Sequence, residues 1–200
     1  MPPFRISTPT RNFLKKKLKH YRSYKKYLVI DFSNRCGYCD GSDTWMGGHR
    51  TYHIDHFAPK DKFGELENEY TNLIYSCPSC NSSKSNKWPS KKAQENIVDD
   101  QGFLNPCSDD LNANFSRDTN GHIIPQTPIA IDMFKNLSLG LERHAIIWKL
   151  TRLEALIAEY EVEIVRNPPS DVKEKLINVH YRLLRIFYEY HSKLREINRI

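Results

Sequence analysis

The chain has 200 residues, 39% of them apolar and 27% charged, a balance that describes a folded globular protein and excludes a disordered one. That length buries a real core without disulfides, and no stretch reaches the roughly 18 uncharged apolar residues of a membrane helix. The net charge of +6 is uneven: residues 1–50 carry +8, residues 51–127 carry −4 and residues 128–200 carry +2. A basic arm beside an acidic middle suits a protein that holds a polyanion and binds a cation next to it. The opening MPPFRISTPTRNF lacks an apolar leader core, so a cytoplasmic location and no membrane partner are expected. In that reducing setting, clustered cysteines point to metal or catalysis before disulfides.

Three regions are expected: a basic N-terminal helix at 1–35, an irregular core at 36–127 and a helical region at 128–200. From Thr8 to Phe32, apolar residues recur at three- and four-residue steps, with Thr8 placed to cap and Pro9 to open the helix. The other face carries Lys15, Lys16, Lys19, Arg22 and Lys26 among its cations. Such a face neutralises phosphates without reading sequence, or serves as a solubilising surface. Tyr21, Tyr24 and Tyr27 are interleaved with it; their helical spacing favours core packing over base stacking.

The middle region holds all five cysteines and is rich in Asn, Ser, Asp, Gly and Pro. After it, Pro128 to Leu139 reads as a short helix and Leu141 to Val165 as a long one. Asn167-Pro168-Pro169-Ser170 breaks the pattern, and Asp171 with Glu174 resembles a capping box opening a last helix. The two long helices are expected to form an antiparallel hairpin. It either completes the core or docks a partner, and Arg143, Arg152, Arg182 and Arg185 could equally contact nucleic acid.

Cys36-Gly-Tyr-Cys39 and Cys77-Pro-Ser-Cys80 are two CxxC pairs. That spacing lets both thiolates of a pair reach one tetrahedral ion at about 2.3 Å, so two pairs make a closed four-cysteine Zn²⁺ site whose role is folding. Cys107 stands alone and reads as a packing residue. Between the pairs lie His53-Ile-Asp55-His56-Phe57 and Thr71-Asn72-Leu73-Ile74-Tyr75, and the second pair continues into Asn81-Ser-Ser-Lys84.

These residues, over roughly Cys36 to Pro89, resemble the HNH endonuclease family, whose core is a ββα-metal finger. The resemblance implies an α+β fold: a zinc-stapled finger with an N-terminal basic helix and a C-terminal helical hairpin. It also implies that Asp55 and Asn81 bind a catalytic Mg²⁺ or Mn²⁺, that His56 activates water and that Asn72 orients the loop. Asn81 departs from the commonest pattern, where many members have His. The chemistry agrees: a carboxylate suits a hard cation and a neutral imidazole suits general-base work. Since neighbouring strand residues point opposite ways, His56 is expected at a strand end. His53 is either a further ligand or phosphate contact, or a structural histidine. Lys84 either faces the phosphate or, with Lys87, belongs to a solvated helix face. His49 and His122 read as incidental.

Phe103-Leu-Asn-Pro106, Asn120-Gly121 and the HIDHFAPK wording also resemble a subgroup that includes the nuclease subunit of Septu-type and retron-linked anti-phage systems, which works beside an ATPase partner. The resulting expectation is a DNA endonuclease of anti-phage defence acting on double-stranded DNA. Two alternatives stand beside it: a non-catalytic zinc-dependent nucleic-acid binder, and a subunit active only with an ATPase.

Overall fold

The structure is a computed structural model that describes residues 1–12 and 17–197. The chain divides into two compact units, Met1–Leu141 and Glu142–Ile200. The division follows the short helix at 128 rather than preceding it, because that helix packs on the strands before it.

In the first unit, a 3-10 turn at Tyr21–Tyr24 leads into α1 (Lys25–Asp31). Strands β1 (His53–His56) and β2 (Leu73–Ser76) pair antiparallel, with His53 opposite Ser76 and His56 opposite Leu73. Helix α2 (Pro78–Lys84) follows β2 directly. Two short hairpins come next, β3 (Ile97–Val98) with β4 (Gln101–Gly102), then β5 (Phe115–Arg117) with β6 (Ile123–Pro125). A single helical turn, α3 (Leu111–Asn114), precedes β5. Helix α4 (Pro128–Asn136) closes the unit, with the Thr127 side chain accepting from the Ala130 amide and Pro128 in the first turn.

One continuous core runs through this unit, dominated by aromatic side chains and including Phe4, Tyr24, Tyr38, Tyr75 and Phe103. Trp88 lies edge-on to Phe57 at 5.2 Å and stacks on Phe103 at 6.4 Å. Cys107 packs against the same core.

The expected helix from Thr8 is not there: among the described residues, helical structure begins only at Tyr21. Its predicted members Phe13, Leu14, Lys15 and Lys16 lie outside the described residues. The physical reason is in the amides. A helix needs each backbone N–H for the carbonyl four residues back. Here the Asn12 amide donates to Asp31 Oδ2 at 3.0 Å, the Leu18 amide to the Tyr24 hydroxyl at 2.7 Å and the Tyr21 amide to Asn68 Oδ1 at 2.7 Å. Phe4 is inserted into the core and Pro3 bridges Ser116 of β5, so the described part of the arm is a strap tied to distant residues.

The second unit is a helical hairpin, α5 (Glu142–Val165) and α6 (Ser170–Ile197). Lys149 Nζ meets the Tyr190 hydroxyl at 2.5 Å, and His180 meets Glu161 at 3.3 Å. As one partner's number rises the other's falls, which is antiparallel pairing. Asp171 lies in the first turn of α6. No helix among the described residues is long and apolar enough to cross a membrane.

Candidate metal centre and active site

The two cysteine pairs meet at the C-terminal end of β2, where Cys77 follows Ser76 directly and the Cys36 sulfur lies 3.9 Å from the Ser76 hydroxyl. The Sγ atoms of Cys36, Cys39, Cys77 and Cys80 all lie within 4.8 Å of one another, and all four residues are buried. A tetrahedral ion with thiolates at about 2.3 Å needs sulfurs about 3.8 Å apart. Cys39 and Cys77 Sγ are 3.8 Å apart. The donor set and its spacing therefore fit Zn²⁺ with no open position for substrate.

Each turn is shaped for this. Cys77 caps α2, its sulfur accepting the Cys80 amide at 3.4 Å. In the first pair, the Gly37 amide donates to the Tyr75 carbonyl at 2.8 Å. A Cβ at Gly37 would lie 2.7 Å from Ile74 and 2.8 Å from Phe32, so only glycine permits this approach. Two buried guanidiniums hold the same turn. Arg5 Nη2 donates to the Gly37 carbonyl at 2.6 Å, and Arg117 Nη2 to the Cys39 carbonyl at 2.7 Å. Burial pushes Arg117 down to about 10. A tetrathiolate zinc centre is net negative, so buried cations beside it compensate charge as well as bind carbonyls.

The second cluster lies where β1 ends. Asp55 is 6% exposed and His56 7%. Asp55 Oδ2 accepts the Tyr38 hydroxyl at 2.5 Å and sits 3.2 Å from Lys84 Nζ. Burial pushes the Asp55 carboxyl up against the pull of Lys84 and Tyr38, and pulls Lys84 down against Asp55. Lys84 also donates to the His56 carbonyl at 2.8 Å. It is fully buried, with its ammonium on Asp55 and the end of β1. Lys84 therefore does not face solvent or a phosphate, as the sequence reading had allowed; position i+4 from Cys80 turns it inward.

His56 is fixed from two sides. Its Nε2–H donates to the Glu67 carbonyl at 2.9 Å, since a carbonyl only accepts. Tyr21 lies edge-on to the ring at 4.8 Å. The hydrogen bond leaves Nδ1 with its lone pair, and burial lowers the pKa, so the imidazole is neutral near pH 7. Asn72 pins the loop after β1: its Oδ1 accepts the Ala58 amide at 2.8 Å and its Nδ2 donates to the Ala58 carbonyl at 2.9 Å. Truncating Asn72 strands both buried backbone groups, each worth about 1–3 kcal/mol. Asn72→Ala is accordingly expected to lower stability by at least that amount in urea titration, and an effect below ~0.5 kcal/mol would show the clamp to be idle.

Asn81 is half-buried on α2, three residues before Lys84 and so on the neighbouring part of the helix surface. Its side-chain amide makes no hydrogen bond among the described residues, and neither does Asp55 Oδ1. An uncommitted carboxylate oxygen and an uncommitted amide oxygen are the donors a hard divalent cation takes. His53 is exposed at the start of β1; Lys19, Arg22 and Lys26 are exposed around α1. His49 is exposed and His122 pairs with Asp118 at 2.9 Å, apart from this cluster.

Sequence reasoning missed Tyr38, Arg5 and Arg117, and it read Tyr21 as core packing or base stacking without its place beside His56. A tyrosine inside a CxxC turn next to a buried carboxylate was the one visible signal, for Tyr38. The others act through contacts between residues far apart in the chain.

No curated protein and no solved structure matches the chain. Residues 36–87 match the family model described as HNH endonuclease, a span that opens on the first thiolate and takes in both strands and α2, and the match supports a nuclease of that family that binds nucleic acid and metal.

Proposed function

We propose that the protein is a metal-dependent HNH endonuclease that hydrolyses phosphodiester bonds of DNA. The observation that carries the reading is His56: a neutral imidazole at a strand end, its Nε2–H committed to the Glu67 carbonyl and its Nδ1 left basic. In this reading Nδ1 takes a proton from water, the hydroxide attacks phosphorus and the P–O3′ bond breaks, leaving a 5′-phosphate and a 3′-hydroxyl. Asp55 and Asn81 would hold Mg²⁺ or Mn²⁺, which supplies charge stabilisation at the phosphate and the leaving oxygen. Lys84 and Tyr38 hold the Asp55 carboxylate in place, and Asn72 holds the loop that carries His56 onward. Cys36, Cys39, Cys77 and Cys80 keep α2 against β2 through Zn²⁺.

The resemblance to Septu-type and retron-linked nucleases supports placing this activity in the cytoplasm, in anti-phage defence and beside an ATPase partner.

The test is nicking of supercoiled plasmid in Mg²⁺ or Mn²⁺, with a structured RNA alongside. His56→Ala is expected to cost about 10²- to 10⁴-fold in rate. Equal cleavage by the variant, or none by the wild type with or without the ATPase, would sink the reading and leave a zinc-dependent binder.

A further inference from the structure

We propose that the phosphodiester strand flanking the reacting phosphate lies in a basic cleft formed between α1 and the start of β1, with Arg22, Lys25 and Arg50 as its cationic walls and His53 as a further polar wall. This rests on the nuclease reading for its direction, but the cleft itself is a separate observation. It is a depression of about 370 Å³ lined by those four residues with Tyr21, Tyr52 and Ile54. Among the described residues, no acidic side chain lines it.

Its position follows from the chain. Arg50 lies in the loop before β1 and is exposed, and His53 opens the strand and is exposed. Arg22 projects from the turn before α1, its guanidinium 5.8 Å from the Tyr21 ring centre. Lys25 is half-buried and spans the two elements, donating to the Tyr52 carbonyl at 2.8 Å. That bond brings α1 against the strand and gathers the charges into one place.

Tyr21 joins the cleft to the chemistry. Its ring is both a wall of the cleft and the edge-on neighbour of His56 at 4.8 Å. A second depression, of about 490 Å³, shares Tyr21 and Arg22 with the first. There Lys60 is paired with Glu67 at 3.1 Å, so much of its charge is spent. The first cleft keeps its positive charge and is the one that attracts a polyanion. Since contacts of this kind meet phosphates and not base edges, the cleft holds a strand without selecting sequence.

Arg50 carries no motif and falls outside the basic arm to which Arg22 and Lys25 belong. They are gathered only by the fold.

The experiment uses the full chain carrying His56→Ala, so that nucleic acid is bound and not cut, in Mg²⁺ and from 50 to 200 mM salt. Fluorescence anisotropy with a labelled DNA duplex, and in parallel an RNA duplex, gives the slope of log K against log salt. Arg22→Ala with Arg50→Ala is expected to reduce that slope by about two, since each phosphate contact contributes about 0.9. Lys91→Ala with Lys135→Ala, two exposed lysines that do not line the cleft, is expected to leave it unchanged. Both exposed cleft positions tolerate alanine, and an unchanged melting temperature verifies folding.

An unchanged slope in the Arg22/Arg50 variant, or no binding of either duplex by the parent, overturns the cleft. A slope change in a protein whose wild type never cleaves plasmid keeps the cleft and removes the nuclease. The arm in which the slope falls identifies DNA or RNA as the polyanion held.

Discussion

Replacing Cys77 with serine is expected to cost the first unit its fold. The four sulfurs are buried within 4.8 Å of one another, and the centre they form ties the turn after α1 to the cap of α2. Structural zinc contributes apparent binding energies of about 10–16 kcal/mol in small domains. That is as large as the whole stability of an ordinary domain, about 5–15 kcal/mol. The variant should therefore lose bound zinc and the near-ultraviolet circular dichroism of the aromatic core together. Stripping the wild type with a strong chelator should give the same spectrum. A Cys77→Ser protein that keeps its near-ultraviolet signal and its melting temperature would show that the thiols merely pack.

The second large effect is expected at Lys84. Its ammonium is fully buried between Asp55 Oδ2 and the His56 carbonyl. Removing one partner of a buried ion pair leaves the other uncompensated and costs about 3–5 kcal/mol. Lys84→Met should destabilise by that amount in urea titration. Lys84→Met combined with Asp55→Asn should recover most of it, because two neutral groups replace the pair and Tyr38 can still donate to the amide oxygen. A double variant as unstable as the single one would mean that the packing of the lysine stem, not its charge, was lost. A single variant within ~1 kcal/mol of wild type would mean the pair is solvated, against its burial here.

The Lys84 pair bears on activity as well. The same ammonium holds the carboxylate proposed for the metal and the carbonyl of the residue proposed as base. The two groups therefore keep their relative position through one cation from α2, and the four-cysteine cluster at its N-terminus positions α2 itself.

Several features were legible because their information is local. Two CxxC pairs encode a ligand geometry in their spacing alone, and the four sulfurs do converge. The strand-end position expected for His56 follows from the alternation of side chains, and β1 ends on it. The break at Asn167-Pro168-Pro169 separates α5 from α6 as prolines require. Pro128 after Thr127 opens α4 by the same kind of rule.

The N-terminal segment shows the opposite. Thr8, Pro9 and the apolar spacing after them satisfy every local rule for a helix, yet the described part is a strap. Its amides are claimed by Asp31, Tyr24 and Asn68, and Arg11 donates to the Tyr70 carbonyl at 2.7 Å. Helix propensity is worth tenths of a kcal/mol per residue, less than the burial of Phe4 and the buried bonds of Arg5 together. Lys84 was misplaced for a related reason. Periodicity gives the face of a helix, but whether that face meets water depends on what packs there, and here Asp55 and Phe103 do.

By itself, then, the amino-acid order determined the set of four cysteines that converge, the strand–helix succession around them and the helical hairpin, since each depends on neighbours within a few positions. The tertiary structure alone decided that Arg5 and Arg117 grip the first thiolate turn, that Lys84 is buried on Asp55, and that Arg22, Lys25, Arg50 and His53 share one cleft. Those pairings join residues up to 78 positions apart, and only the closing of the core brings such distant groups within hydrogen-bonding reach.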